Sequence, residues 1–289
     1  MEQSIPKTKS KPKAFFAKLK KKLRFKKPFL TFPHLLVSLV FVFVPLGFML
    51  IAAFRGVDGS FTLDNFADFF TAHVLRLLGR SLLVALLTTI FCLLISYPLA
   101  LALANSKINK SLILVLMFIL PMYMNSLLRS YAMRALLDIM GFNQLNHALF
   151  SIVISHVYIF FPFMLLPIYT SLVNMDKNYL DASRDLGASG FTTFLKITLP
   201  LSVPGILSGI FMVFMPVVSS FAIRDVAMMP IAGEGWRLFG NELYSIVRGA
   251  RPDAIAAAYS MILLVVVFAI MIGANYIQGW REKRVGGGK

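Results

Sequence analysis

One polar segment stands out because the rest of the chain is largely apolar, and its residues point to docking chemistry. Six charges of mixed sign lie between Asp176 and Lys196, and long charge-free intervals flank them on both sides. The segment contains Asp181-Ala182-Ser183, Gly187 and Ile197-Thr198-Leu199-Pro200. Charges are expensive inside a bilayer, so such a loop lies at the membrane surface, where it can contact a soluble partner.

Residues for catalytic chemistry are missing elsewhere. No Gly-x-x-x-x-Gly-Lys-Ser/Thr sequence occurs, so the chain does not bind ATP through a P-loop and energy must come from another subunit. Cys92 is the single cysteine and is expected to be a packing residue. His156 lies in an apolar interval, where it is either a transport-path residue or a hydrogen-bonded structural residue near Ser155 and Tyr158. No His, Cys or carboxylate pair has metal-ligand spacing, so no metal site is predicted.

The composition places these residues in a membrane protein. Hydrophobic residues make up 58% of the chain and charged residues 15%, whereas a soluble domain has about 45–50% and about 25%. Six intervals contain no Asp, Glu, Lys or Arg, and a span needs roughly 20 such residues. They are 28–54, 81–106, 111–128, 148–175, 197–223 and 254–280. The prediction is an all-α membrane protein with six transmembrane helices.

The polar segment itself is predicted to form two short helices separated by a turn. Asp176 is suited to the start of the first helix, whose Leu180 and Leu186 are expected to face inward. Gly187 then ends this helix, because glycine accepts the left-handed conformation. Ser189 caps a second helix over residues 191–199, which is expected to end at Pro200.

Basic residues concentrate in alternate loops, which predicts the orientation of the chain. Of the 29 Lys and Arg residues, 20 lie in the N-terminal tail, loop 105–110, loop 171–200 and the C-terminal tail. The opposite loops hold nine Arg and no Lys. Because basic residues are retained in the cytoplasm, both termini and the polar segment are predicted to be cytoplasmic.

The N-terminal tail carries most of the formal net charge of +16. Its basic residues run from Lys7 to Lys27, with phenylalanines between them. Each basic residue near an anionic headgroup contributes about 1 kcal/mol. We therefore expect the tail to lie against anionic lipid rather than to bind nucleic acid or a regulatory partner. The predicted divisions are a basic tail at 1–30, a six-helix domain at 31–280 that contains the polar segment 174–200, and a cytoplasmic tail at 281–289.

The spacing of the polar segment resembles the EAA loop of ABC importer permeases, which reads acidic-Ala-Ala, three residues, Gly, nine residues, Ile-x-Leu-Pro. Gly187 and the Ile-x-Leu-Pro ending match, while Asp181 replaces Glu and Ser183 replaces the second Ala. The resemblance implies a type I ABC importer permease in which residues 174–200, here called the coupling loop, dock into a separate ATPase subunit. The implied coupling residues are Asp181, Ala182, Ser183, Gly187, Ile197, Leu199 and Pro200. An ordinary amphipathic connector is the alternative.

Three segments look like those of spermidine/putrescine permeases. They are residues 61–66, residues 125–131 and residues 181–189. With the six-span pattern, the similarity covers roughly residues 35–280. It implies a polycationic substrate, for which carboxylates and aromatic faces are suitable path residues.

The candidate path residues are Asp225, Tyr123, Asn125 and Tyr158. Asp225 follows the fifth span, where the polyamine relatives also place an Asp. It stands beside Arg224, and a structural pair with Arg224 or Arg129 is the other interpretation. Asn125 can instead cap a helix, and tyrosines commonly mark headgroup depth. The glycine pair expected after Asp225 is Met228-Met229 here, a departure that bears on the substrate.

The function implied is the permease subunit of an ATP-driven importer that moves polyamines into the cytoplasm. The expected partners are an ATPase dimer, which uses ATP and Mg, a second and different permease chain, and an outer substrate-binding protein. No cofactor is expected on this chain. The alternatives are a permease for another small solute and a secondary transporter with its own ion coupling. The secondary transporter is disfavoured, because spans two to six contain no Asp or Glu.

Overall fold

The computed structural model describes residues 33, 35–56, 58–105, 111–142, 147–227, 236–249 and 253–286, and the described part contains helices and no strand beyond one isolated bridge. The helices are numbered here in chain order. They are α1 (Leu35–Ala53), α2 (Asp64–Ala67), α3 (Ala72–Ala104), α4 (Ser111–Ile119), α5 (Ser126–Ile139), α6 (Ala148–Val173), α7 (Lys177–Asp185), α8 (Gly190–Val218), α9 (Ala222–Ala227), α10 (Phe239–Arg248) and α11 (Asp253–Gly286). Residues 1–30 and 287–289, and with them the predicted lipid contact of the tail, lie outside the described residues.

Five of the described helices are long and apolar enough to cross a membrane, namely α1, α3, α6, α8 and α11. The interval 111–128, predicted as a span, does not form one straight helix. Residues Ile113–Tyr123 meet residues Ser126–Ile139 at an angle of 98°. The break follows Pro121, and the Asn125 side chain accepts a hydrogen bond from the amide of Leu127, 2.8 Å away. A new helix therefore begins inside the apolar interval.

Helices α3, α6 and α8 pack together and supply most of the main core. Its buried residues include Val84 and Cys92 of α3, Met164 of α6 and Val213 of α8. Helices α6 and α8 approach each other closely at Gly205, where an added Cβ would lie 2.5 Å from Ser171 Cβ. Only glycine permits this packing distance, which fixes the middle of α8 against the end of α6.

These contacts give the bundle two distinct ends. The coupling loop connects the end of α6 to the start of α8, and the end of α3 lies beside it. Helix α10 lies at the other end, where the amide of Phe239 donates to the hydroxyl of Ser81 near the start of α3, 2.8 Å away. Residues 35–52 of α1 belong to a different compact unit from residues 53–289.

Candidate functional site

The first helix of the coupling loop, α7, has the caps that the sequence predicts. The Asp176 carboxylate accepts a hydrogen bond from the amide of Asn178, 3.0 Å away. At the other end Gly187 has a φ of +75°. The amide of Ala188 donates to the carbonyl of Ser183 at 3.0 Å, and that of Gly187 to the carbonyl of Arg184 at 2.9 Å. This pair of bonds is the Schellman motif, so the glycine prediction is confirmed.

The second helix, α8, begins at a serine cap. Ser189 Oγ accepts a hydrogen bond from the amide of Thr192, 3.2 Å away. One residue further, the buried hydroxyl of Thr193 lies 2.8 Å from the buried hydroxyl of Ser183. This side-chain bond joins α7 to α8 across the turn, so the two helices of the coupling loop form one unit.

The prediction that this second helix ends at Pro200 is wrong. Helix α8 runs without a break from Gly190 to Val218. Residues Phe194–Thr198 form a π-helical turn, in which the amide of Leu199 donates to the carbonyl of Phe194, five residues earlier. Because the turn is wider just before the proline, the helix accommodates a residue without an amide hydrogen. The docking segment and the membrane span are therefore a single helix.

The exposed surface of the coupling loop combines an ion pair with apolar side chains. Asp181 and Arg184 form a solvent-exposed salt bridge of 3.2 Å, and Ala182 is exposed beside them. Leu186 is 88% exposed and Phe191 is 72% exposed. The inward position predicted for Leu186 is wrong, because the residue occupies the C-cap position of α7 and its side chain is exposed. Apolar residues exposed beside charges make a surface suited to binding another protein.

The other predicted coupling residues divide between this surface and the bundle. Ser183 is buried, Gly187 and Pro200 are exposed, and Ile197 and Leu199 are half-buried. Sequence reasoning missed Leu186 and Phe191 as surface residues. The available indication was their position on either side of the glycine turn, where a large apolar residue has little bundle surface to cover.

A cavity of about 210 Å³ lies between the coupling loop and the bundle. Its walls come from the ends of α3 and α6, from α7 and from the start of α8. Leu180 of α7 lines this cavity and is half-buried, as its inward prediction requires. The coupling loop therefore borders this space and also packs against the main core through Met175, Phe194 and Leu199.

At the opposite end, Asp225 is part of a polar network. Its Oδ1 accepts hydrogen bonds from Arg224 Nη1 at 3.0 Å and from Asn241 Nδ2 at 2.7 Å. Arg224 is 4% exposed and also donates to the carbonyl of Trp236, 2.9 Å away. The Asp225 side chain is 45% exposed. Of the two structural pairs considered for Asp225, the one with Arg224 is formed, and the one with Arg129 is absent from the ion pairs of the described residues.

The remaining path candidates lie on α6 and at the break before α5. Asn125 caps α5, while Tyr123 is largely exposed and Tyr158 is exposed to a lesser degree on α6. Arg129 is 4% exposed, and its Nη1 donates to the carbonyl of Ile159, 3.2 Å away. Asn125 therefore has the capping role. Arg129 holds α5 to the middle of α6.

His156 is fully buried and has a partner at each ring nitrogen. Its Nδ1 lies 2.7 Å from the carbonyl oxygen of Ile152, and its Nε2 lies 3.0 Å from Ser220 Oγ. A carbonyl can only accept, so in the neutral ring Nδ1 carries the hydrogen and Nε2 accepts from the serine. This geometry ties α6 to the segment that follows α8. Within the described ranges, no group of three or more His, Cys, Asp and Glu side chains is arranged to hold a metal ion.

Comparison with known proteins places this arrangement in a family. The model of the binding-protein-dependent transport system inner membrane component matches residues 29–287, which is nearly the whole chain. This chain belongs to that family. It is the permease subunit of an ABC importer, and ATP hydrolysis takes place in a separate chain.

The permease resembles curated relatives over most of its length. The spermidine/putrescine transport system permease protein PotB of Salmonella typhimurium is 32% identical over 268 residues, covering 85% of this chain and 90% of the relative. PotB of Escherichia coli is 31% identical over 268 residues, covering 85% and 94%. A PotB homolog of Mycoplasma genitalium is 27% identical over 260 residues, covering 85% and 90%.

Two solved structures share the fold of the permease. A bacterial ABC transporter involved in the import of alginate matches with a TM-score of 0.65 and 17% identity, covering 90% of this chain and 98% of that chain. The alginate transporter in complex with a pentasaccharide-bound periplasmic protein matches with a TM-score of 0.66 and 16% identity, covering 89% and 93%. The permease is thus an inner-membrane, multi-pass protein of type I importer architecture, and its family implies an ATPase and a substrate-binding protein as partners.

Proposed function

We propose that this permease carries spermidine/putrescine-type polyamines into the cytoplasm. The observation that carries the proposal is the 32% identity to PotB of Salmonella typhimurium, which extends over 85% of the chain rather than over one motif. Met228-Met229, which stand where the resemblance predicts a glycine pair, lie outside the described residues. They are also separate from the coupling loop in the sequence.

The coupling loop is the proposed contact with the ATPase. Asp181, Ala182 and Gly187 lie on its exposed surface with Leu186 and Phe191, so a cleft on the ATPase would receive charge and apolar area together. Ser183 acts beneath this surface, through Thr193, by holding the two helices at a fixed angle. Ile197, Leu199 and Pro200 connect the docking surface to the span.

The proposed orientation places the coupling loop and both termini in the cytoplasm. The excess of Lys and Arg in the tails, loop 105–110 and loop 171–200 supports it, because these residues resist translocation. The end with Asp225 and α10 then faces outward, where an extracellular or periplasmic binding protein delivers the substrate. Asp225, Tyr123, Asn125 and Tyr158 are the proposed path residues.

The assembly proposed has further components. A second, different permease chain completes the transport path, and two ATPase subunits use ATP and Mg to drive it. This chain binds no cofactor of its own. The basic tail at 1–30 lies against anionic lipid, since its charge is concentrated next to the first span.

Reconstitution tests this function directly. The permease, its partner permease, the ATPase and the binding protein are placed in proteoliposomes, and uptake of labelled spermidine and putrescine is measured with and without ATP. We expect uptake that stops on ATP depletion while ion gradients are held constant. Uptake that follows an ion gradient without ATP would contradict the mechanism, and ATP-driven uptake of another solute in place of polyamines would contradict the substrate.

A further inference from the structure

One face of α10 presents an aromatic ring beside the Asp225 network. Asn241, Tyr244 and Arg248 follow one another at spacings of three and four residues, so they lie on the same face of the helix. Asn241 Nδ2 donates to the carbonyl of Phe221, 3.1 Å away. The Phe221 and Tyr244 rings are stacked with centroids 4.5 Å apart and an interplanar angle of 13°.

The Tyr244 ring already holds a cation. The guanidinium carbon of Arg248 lies over this ring, 5.1 Å from its centroid. Because Phe221 covers one face of the ring, the guanidinium lies on the opposite face. This distance is within the range in which a cation is attracted by the ring quadrupole. Arg248 is exposed, and among the described residues it takes part in no ion pair, so the Tyr244 ring is its principal contact.

A solvent-exposed guanidinium held by one face of a half-buried ring is easily exchanged for another cation. An ammonium group of the substrate is attracted to the same ring face by the same quadrupole. We propose that Tyr244 is a binding site for an ammonium group of an organic cation, and that Arg248 is a tethered cation that occupies this site until the substrate displaces it. This inference rests on the proposed function, because it assigns the site to a polyamine.

The surroundings of Tyr244 suit a linear molecule with several ammonium groups. Asp225 lies one helical turn from Phe221, with its amide donating to the Phe221 carbonyl at 3.2 Å. A partly exposed carboxylate, two stacked rings and a cation site therefore follow one another along this surface. One ammonium group can lie at the Tyr244 face while the methylene chain runs along Phe221 toward the carboxylate. A neutral sugar or an anion gains nothing from this arrangement.

The test is equilibrium dialysis of labelled spermidine against the assembled permease and ATPase complex without binding protein. Arg248→Gln removes the competing cation, and we expect it to bind spermidine about two- to five-fold more tightly. Arg248→Lys keeps a cation and should remain near the unmodified protein. Arg76→Gln removes an equal charge from an exposed position of α3 at the same end, and it should cause a smaller change than Arg248→Gln. Equal tightening by both glutamine variants would overturn the proposal, since only general electrostatics would then be at work.

Two variants of the ring complete the test. Tyr244→Phe keeps the aromatic face and should bind spermidine as before, whereas Tyr244→Leu should bind it about two- to five-fold more weakly. Thermal unfolding of each complex reports whether the stack with Phe221 is needed for folding. If Tyr244→Leu does not fold, the spermidine affinities of Arg248→Gln and Arg248→Lys test the proposal. Equal affinities of Tyr244→Phe and Tyr244→Leu would overturn the proposal.

ATP-driven spermidine uptake by the unmodified transporter separates this inference from the proposed function. If uptake is present and the Arg248 and Tyr244 variants all bind spermidine with the same affinity, the proposed cation site is wrong and the polyamine function stands. If the unmodified transporter takes up no polyamine, the proposed function fails and the inference fails with it.

Discussion

The Ser183 and Thr193 hydroxyl oxygens lie 2.8 Å apart, both buried, on the two helices of the coupling loop. Ser183 stands where the EAA pattern that the loop resembles has alanine, and this hydrogen bond gives the difference a structural reason. An alanine at this place would leave the loop to be held by the Gly187 turn and by apolar contacts alone. The serine adds a direct tie between α7 and α8.

Breaking this tie should loosen the loop. We expect Ser183→Ala to lower the free energy of unfolding by about 1 kcal/mol, because one buried hydroxyl loses its partner. The double variant with Thr193→Val should be close to Ser183→Ala in stability, since the second hydroxyl is then absent as well. Thermal unfolding of both single variants and the double variant gives the coupling energy. Additive losses would show that the two hydroxyls do not interact.

Replacing the glycine of the turn should uncouple transport. Gly187→Val places a β-branched residue at a φ of +75°, and even a simple side chain costs roughly 1–2 kcal/mol there. No neighbouring atom lies within 4 Å of a Cβ added at Gly187 or at Gly190, and Gly190 lacks the positive φ, so Gly190→Val is a matched control. We expect ATP-driven uptake and ATPase association to fall for Gly187→Val only, with membrane insertion kept. Normal association and uptake in Gly187→Val would contradict this role.

His156 should matter for stability rather than for transport chemistry. His156→Leu removes the bonds to Ile152 and Ser220, and leaves the Ser220 hydroxyl without this partner. We expect a loss of about 1–3 kcal/mol in the free energy of unfolding. Ser220→Ala should cost less, because His156 Nδ1 keeps its carbonyl partner. Unfolding midpoints of the purified variants measure this order, and a larger effect of Ser220→Ala would contradict it.

Asp225→Asn should test both roles considered for this residue, the structural pair with Arg224 and the contact with substrate in the transport path. Arg224 is 4% exposed and loses the negative charge of Asp225, so we expect the free energy of unfolding to fall by about 1–3 kcal/mol. As a path residue, Asp225 should also be needed for uptake, so spermidine uptake per folded transporter should fall several-fold. Asp253→Asn removes an equal charge at the exposed start of α11 and serves as the control. Unchanged uptake at full expression would leave Asp225 with a structural role only.

Local hydrogen bonding explains which parts of the coupling loop were predictable. Asp176, Gly187 and Ser189 act on backbone groups within three residues of themselves, so their types and positions are sufficient to predict the caps and the turn. The continuation of α8 through Pro200 was not predictable in this way. Proline usually ends a helix, and no local pattern predicts the π-helical turn over residues 194–198 that accommodates it here.

The spans show the same division. Charge-free intervals located the membrane-crossing segments, because hydrophobic burial in lipid depends on composition. The charge-free intervals did not locate the helix ends. For example, α3 starts at Ala72, before Arg76 and Arg80. A helix continues beyond the membrane where polar contacts support it. Arg80, for example, lies over the Trp236 ring at 5.2 Å from its centroid. Networks such as this one join residues far apart in the chain and leave no local pattern.

The continuity of α8 through its π-helical turn limits how this permease can be engineered. A chimera that takes the docking surface from a related permease cannot place its junction at Pro200, because residues 190–218 form one helix with a fixed rotation about its axis. Deleting or adding one residue in the turn would rotate everything before it by about 100°. A functional graft should therefore exchange the whole stretch from the end of α6 to Val218, so that the donor's docking surface and span keep their own register.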